Sequence, residues 1–288
     1  MVLSYQSLKK IIWGASPMIC TTHIGEDDIQ PASLDVPLSN RSFRVSVSAL
    51  PDDNHSMSDL LKRFTKYEFE LKPEGSLLER GHTYILPLAV DLSLSEQFRA
   101  VFSPKSTTGR NDVFVRVLTE QGKMFDQTKA GYKGPLYLEA TPLSFDCHVY
   151  PFRPLTQMRI ETVRGVKLTD EEIAVLHSEC GIVRDQNGEV TTPLISDGGL
   201  YLHLDLSNNG RTAGYESRQN PEGHVHLGKK ELDNKEEFWS RIKPTPNGDL
   251  ILLAIVADSS GPEYLLYRIT SSGIPSYPLS LNPGGWTD

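Results

Sequence analysis

The feature that most limits what this chain can fold into is the shortness of its regular runs. From Val36 to Val163, apolar and polar residues alternate over a few positions at a time, and Gly, Pro or Asn then interrupts the pattern. VPLSNRSFRVSVSAL alternates around Phe43, Val45 and Val47, and YEFEL does so from Tyr67 to Leu71. GHTYILPL feeds a turn into a run ending at Leu88, and Ser144 to Tyr150 and Thr156 to Val163 continue the series. A period of two is the signature of a half-buried strand. The 19 Pro and 22 Gly are spread along all 288 residues, which blocks long helices. Strands this short and this frequent predict a mainly β barrel or sandwich.

A few short helices interrupt that pattern. Ser4 to Trp13 has apolar residues at helical spacing, with Ser4 as the cap and Gly14 as the stop. Met57 to Lys66 places Leu60, Leu61 and Phe64 on one face. Lys167 to Cys180 carries a Thr169 cap and an acidic first turn, with Ile173, Leu176 and His177 as its inner face. Asn234 to Trp239 reads as a further short capped helix. Composition changes near Gly165, so residues 1–165 are expected to form one domain and residues 166–288 a second. ISDGGLYLHLDLSN, ending at Asn208, loosely echoes DDIQPASLDVPLSN, ending at Asn40, which suggests a diverged internal duplication. Leu250 to Val256 is strongly apolar, and SGIPSYPLSLNPGGWTD at the end reads as irregular.

Charge and cysteine usage narrow the function classes. With 29 Lys and Arg against 37 Asp and Glu, the net charge is −8, which argues against a general nucleic-acid or anionic-membrane binder. No apolar run approaches a membrane span, and no secretory signal pattern opens the chain. Cys20, Cys147 and Cys180 are odd in number and lack CxxC spacing, which suggests a reduced, cytoplasmic setting.

The chemistry concentrates between Val101 and Glu139. PKSTTGR places Lys105, Ser106, Thr107 and Arg110 on a polar turn, and cations, hydroxyls and turn amides together suit a phosphate chain as well as they suit a solvated surface. Glu139 closes GPLYLE on the strand face shared with Tyr137, where it is either an outward-facing strand carboxylate, the commoner case, or one that apolar neighbours desolvate and suit to general-base work. In the loop AGYKG, glycines let backbone approach a ligand and Tyr132 is placed to stack on a base or to cover the loop. IQPASLD groups Gln30, Ser33 and Asp35 at a strand entry. His177-Ser178-Glu179 matches the first half of a zinc-deaminase signature, but no cysteine follows Cys180 to supply the remaining ligands. His224-Val225-His226 puts two imidazoles on one strand face, without an evident third ligand.

IQPASLD, SPKSTTGR and FDQTKAGYKGPLYLE, in this order and spacing, resemble the dCTP deaminase family in its long two-copy form. The resemblance implies a dUTPase-like β-clip or distorted barrel with a few short helices, followed by a diverged and incomplete second copy that depends on oligomer contacts. It implies a hydrolase that deaminates dCTP to dUTP and ammonia without zinc, feeding pyrimidine deoxyribonucleotide synthesis. It assigns Glu139, Ser106 and Arg110 to catalysis, with Arg110 holding the Glu139 carboxylate. Lys105, Thr107, Asp126, Tyr132 and Gln157 fall on substrate-binding positions. Mg²⁺ would arrive with the triphosphate, no resident metal site is implied, and the partners are dCTP or dUTP and further copies in a homotrimer. Two alternatives stand beside this: a bifunctional enzyme releasing dUMP and pyrophosphate, and a catalytically silent nucleotide-binding homologue.

Overall fold

The computed structural model describes residues 1–165, 167–185, 187–201, 214–218, 221–229, 235–242, 250–258, 261–269 and 275–280. The chain divides into two compact units, the first built from Met1–Val166 with Gln219–Phe238 and the second from Lys167–Arg218 with Trp239–Asp288. In chain order the first unit runs α1 (Tyr5–Trp13), β1 (Ile19–Cys20), β2 (Leu34–Pro37), β3 (Arg41–Val45), α2 (Met57–Phe64), β4 (Thr65–Glu70), β5 (Ser76–Leu78) and β6 (Tyr84–Ser93). It continues through β7 (Phe98–Pro104), α3 (Ser106–Arg110), β8 (Val113–Thr119), β9 (Lys133–Pro142), β10 (Cys147–Val149) and β11 (Pro154–Thr162).

The strands form a mainly β assembly of open sheets. One sheet has the order β4-β3-β6-β9-β8, with β1 also pairing β6, and a second has the order β2-β11-β7. Among the described residues neither closes into a barrel, and the expected mainly β architecture with a few short helices is built from these open sheets. Leu34, Leu38, Leu86, Leu118, Leu136 and Leu138 are fully buried in this unit. Helix α1 buries Leu8, Ile11 and Ile12 on one face and stops at Gly14, as its spacing predicts.

Helix α2 has a direct bearing on the site. Ser56 and Asp59 close a capping box at its start. Its Met57 belongs to a buried cluster with Phe43, Val45, Ile85, Leu118 and Tyr137, against which Leu60 and Leu61 pack. Tyr137 and Glu139 lie two positions apart on β9 and therefore share a face. The expected polar turn at Pro104 to Arg110 contains one helical turn, α3, pinned where buried Thr108 donates its hydroxyl to the Leu155 carbonyl at 2.9 Å.

Helix α4 (Asp170–Cys180) has the predicted Thr169–Glu172 capping box. It buries Ile173 and His177, but Leu176 is 39% exposed, which corrects the expected inner face. The neighbouring hairpin of β12 (Leu194–Ser196) and β13 (Gly199–Tyr201) has three residues per strand, too few to cover the whole stripe. Next comes β14 (Gly214–Ser217). Strand β15 (Val225–His226) returns to the first unit, pairing parallel with β10 in the order β15-β10-β5, and α5 (Lys235–Phe238) sets Phe238 edge-on to Phe145.

In the second unit β16 (Trp239–Ile242) pairs with β14. There also, β17 (Leu250–Asp258), β18 (Gly261–Ile269) and β19 (Pro275–Ser280) form an antiparallel sheet. Part of the stretch expected to be irregular is therefore strand β19, because β18 offers it an edge to pair with. Residues 202–208 of the duplication echo, with Asp205, the Asn234 cap and residues 281–288 lie outside the described residues. Among the described residues no helix is long and apolar enough to cross a membrane.

Candidate active site

Strands β8 and β9 build the core of the site by register. In VFVRVLT, Val113, Val115 and Val117 are buried on one face, which turns Arg116 to the other. Antiparallel pairing sets Arg116 opposite Glu139, and Ile85 of β6 flanks Glu139 on its other side. Glu139 is 1% exposed. Its Oε1 accepts from Arg116 Nη2 at 2.7 Å and from Nε at 3.1 Å. Its Oε2 is buried with no hydrogen-bond partner among the described residues. A buried carboxylate is tolerated when a cation and hydrogen bonds compensate it, and an orphaned oxygen on such a group is rare enough to mark a site of use.

The Arg116 guanidinium is itself held. Nη2 also donates to Ser48 Oγ at 2.9 Å, and the Phe125 and Phe114 rings lie 3.6 Å and 5.0 Å from it. Asp126 follows Phe125 in the loop joining β8 to β9, in the left-handed conformation with φ 59°. Its Oδ1 accepts from the Val117 N–H at 2.8 Å, and its carbonyl accepts from the Phe102 N–H at 2.8 Å. Burial pushes the Asp126 carboxyl up to about 6; the Val117 N–H and the Arg116 charge oppose that rise, and the Glu139 charge adds to it. Asp126, Arg116 and Glu139 thus form one electrostatic group.

A second cluster lies on the β2-β11-β7 sheet. Lys105 pairs with Asp35, which is 7% exposed. Gln157 stands opposite both Asp35 and Ser103, accepts from Ser33 Oγ at 3.2 Å and donates to the Pro104 carbonyl at 3.4 Å. IQPASLD and PKSTTGR therefore meet through side chains, with β11 between their strands.

The expected residues separate into groups. Glu139 and Asp126 come together, as do Lys105 and Gln157. Ser106 and Arg110 are exposed on α3, and neither makes a side-chain hydrogen bond or ion pair among the described residues. Within one chain Glu139 pairs with Arg116, which the β8–β9 register brings to it, and not with Arg110. Thr107 is half-buried, and its carbonyl accepts from Asn111 Nδ2 at 2.9 Å.

Tyr132 is 4% exposed, donates its hydroxyl to the Pro135 carbonyl at 2.6 Å and accepts from the Glu120 N–H at 3.1 Å. Burial pushes its phenol up to about 12. A nucleotide base would reach the ring only by displacing that packing, so in this chain Tyr132 covers and fastens the AGYKG loop. Gly131 needs to be glycine there, since φ is 66° and a Cβ would lie 2.3 Å from the Glu96 carboxylate.

Arg116, Ser48 and Phe125 are functional candidates that sequence reasoning missed. The signal for Arg116 was its place as the charged residue in the alternation of VFVRVLT; its partner depended on a register that alternation does not fix. Among the described residues no group of three or more His, Cys, Asp or Glu is placed to hold a metal ion. His177 is buried in α4, and its Nδ1 accepts from the Val183 N–H at 3.3 Å. His224 and His226 do meet a third imidazole, His148, but the His148 and His226 rings stack at 5.0 Å instead of converging their nitrogens on one point.

Residues 1–164 match the family model of the 2'-deoxycytidine 5'-triphosphate deaminase (DCD) N-terminal domain. The crystal structure of the 2'-deoxycytidine 5'-triphosphate deaminase from Agrobacterium tumefaciens superposes with a TM-score of 0.78 and 30% identity, covering 93% of this chain and 76% of that one. A mutant dUTPase of Staphylococcus bacteriophage 80alpha with dUpNHpp aligns at a TM-score of 0.25 and 12% identity, over 33% of this chain and 74% of that one, too slight a likeness to argue from. No curated protein sequence matches the chain.

Proposed function

The chain belongs to the dCTP deaminase family, in the dUTPase-like fold, and on that premise we propose that it hydrolyses dCTP to dUTP and ammonia without zinc. The observation that carries the reading is Glu139: a buried carboxylate with one oxygen bonded to arginine and the other without a partner. A group of that kind accepts a proton from water as the water adds to C4 of the cytosine ring. The C4–O bond forms and the proton passes through Glu139 to N3; the C4–N4 bond then breaks as the C4 hydroxyl gives up its proton to the amine, leaving C4=O and ammonia. Proton transfer by a positioned carboxylate contributes roughly 10²–10⁴-fold, with orientation and fixed dipoles supplying the rest.

Ser106 and Arg110 enter this scheme from a second copy of the chain. Both are exposed on α3 and without a side-chain partner among the described residues, as side chains that complete a neighbour's site would be. Ser106 would orient the water and the exocyclic amine, and Arg110 would face the substrate. Lys105, Thr107 and Gln157 are proposed to meet the triphosphate with its bound Mg²⁺, Asp126 the deoxyribose, and a homotrimer is the proposed assembly. Lys105 already carries Asp35, so a phosphate contact would share its charge. Tyr132 drops out of the substrate contacts, since its ring and hydroxyl are engaged inside the chain.

The position of Asp126 beside Glu139 and Arg116 favours a second reading, in which a second carboxylate activates water for cleavage to dUMP and pyrophosphate. Incubation with dCTP and Mg²⁺ followed by product separation decides between the readings. dUTP with ammonia is the expected result; dUMP would establish the bifunctional reaction, and unchanged dCTP would leave a silent nucleotide-binding homologue.

A further inference from the structure

We propose that Arg116 is a positioning residue for the deamination, selecting which oxygen of Glu139 carries the proton. The inference rests on Glu139 being the base. Both hydrogen bonds from the guanidinium go to Oε1, from Nη2 at 2.7 Å and from Nε at 3.1 Å. Each charge-assisted bond withdraws electron density from the oxygen that accepts it, so Oε1 becomes the less basic oxygen. Oε2, buried and without a partner, keeps its lone pairs for the reaction. The two bonds also prevent the carboxylate from rotating, so the two oxygens do not exchange roles.

The surroundings of Arg116 are built to hold that orientation. The cross-strand register fixes the approach of its side chain to Glu139. Nη2 is bonded a second time, to Ser48 Oγ at 2.9 Å, and Phe125 lies flat enough against the guanidinium to bring its ring centre within 3.6 Å. A planar cation with several fixed N–H groups can satisfy Glu139, Ser48 and an aromatic face together; a lysine ammonium at the same place would supply charge without that geometry. Arg116 touches none of the proposed reacting atoms and acts through Glu139 alone.

Steady-state kinetics of the full chain with dCTP and Mg²⁺ test this. Arg116→Gln is expected to lower kcat on the order of 10²-fold, the range in which misplacing a catalytic group falls, while the KM for dCTP stays within about threefold. Arg116→Lys should recover only a minor part of the rate. Ser48→Ala, which leaves the ion pair intact but frees Nη2, should lower kcat by roughly threefold to tenfold, a loss of orientation alone, and it covers the case in which Arg116→Gln fails to fold. If Glu139→Gln is inactive while the Arg116 and Ser48 variants turn over at the wild-type rate, the positioning role is overturned and the base assignment survives. An active Glu139→Gln would instead remove the reading on which this rests.

Discussion

Two ion pairs in the first unit look alike at first sight and differ in what they leave over. Lys105–Asp35 and Arg116–Glu139 each join a half-buried cation to a buried carboxylate across β structure. Asp35 binds its lysine where two sequence motifs meet, beside a Gln157 amide that is also engaged, and among the described residues it leaves no orphaned buried oxygen. Glu139 keeps one oxygen buried and unused, beside a second carboxylate that burial pushes up to about 6. The first pair is satisfied and reads as a fastening that also presents α3. The second is unsatisfied by the chain itself, which is what a group waiting for a substrate proton looks like.

The largest effect that would sharpen this contrast comes from Glu139→Gln. Turnover of dCTP should fall by roughly 10³-fold or more, the scale of a lost general base. Nucleotide affinity, measured by calorimetry, should change little. Retained turnover would place the chemistry elsewhere. Lys105→Ala should show the opposite balance, with stability falling by roughly 1–3 kcal/mol because the Asp35 carboxylate is left buried without its cation. A melting temperature equal to wild type would break the distinction between a fastening pair and a working one.

Asp126→Asn should stabilise the protein at pH 7 by about 1–3 kcal/mol. The sign follows from a carboxyl raised from 3.8 to about 6 in the fold. Its favourable contribution is present below about 3.8 and is lost as pH rises through about 6, so the charged form at pH 7 is the costly one. Asn resembles the neutral form, keeps the acceptor for the Val117 N–H and tolerates φ 59°. Denaturant titration at pH 4 and pH 7 should show the gap between variant and wild type widening with pH; a gap that narrows would contradict a carboxyl raised chiefly by burial.

The smallest expected effect lies away from the site, at the seam between β10 and β15. Burial holds the His148 imidazole below its usual 6.5, and His226 and then His224 add to that. Tyr150 lies against the same group, its hydroxyl 2.5 Å from His226 Nδ1, and the Lys229 ammonium sits 3.9 Å from the Tyr150 ring centre. A histidine with a lowered folded value contributes stability that is present above pH 6.5 and is lost as pH falls through that value. Thermal melts at pH 8 and pH 5.5 should show wild type losing more than His148→Asn; equal losses would remove the histidine group from the account.

What could be read from the sequence was local. Helical spacing located α1 and α2, and the Thr169 cap with its acidic first turn located α4, because such signals act within a few residues of chain. Alternation found the strands and turned Arg116 away from Val115 and Val117. What escaped was pairing across distance. Nothing near Arg116 specifies Glu139 over Arg110's claim to it, since the choice belongs to the register of β8 on β9. The return of β15 to β10, the exposure of Leu176 and the burial of Tyr132 were hidden for the same reason: each depends on what a distant segment covers.

The central claim is that Glu139 of one copy works with Ser106 and Arg110 of another. Co-refolding of Glu139→Gln with Ser106→Ala chains, each inactive alone, tests it most directly. Mixed assemblies place an intact Glu139 beside an intact Ser106, so dCTP turnover should reappear at a fraction of the wild-type rate. A mixture that forms oligomers yet stays as inactive as its parents would contradict the shared site.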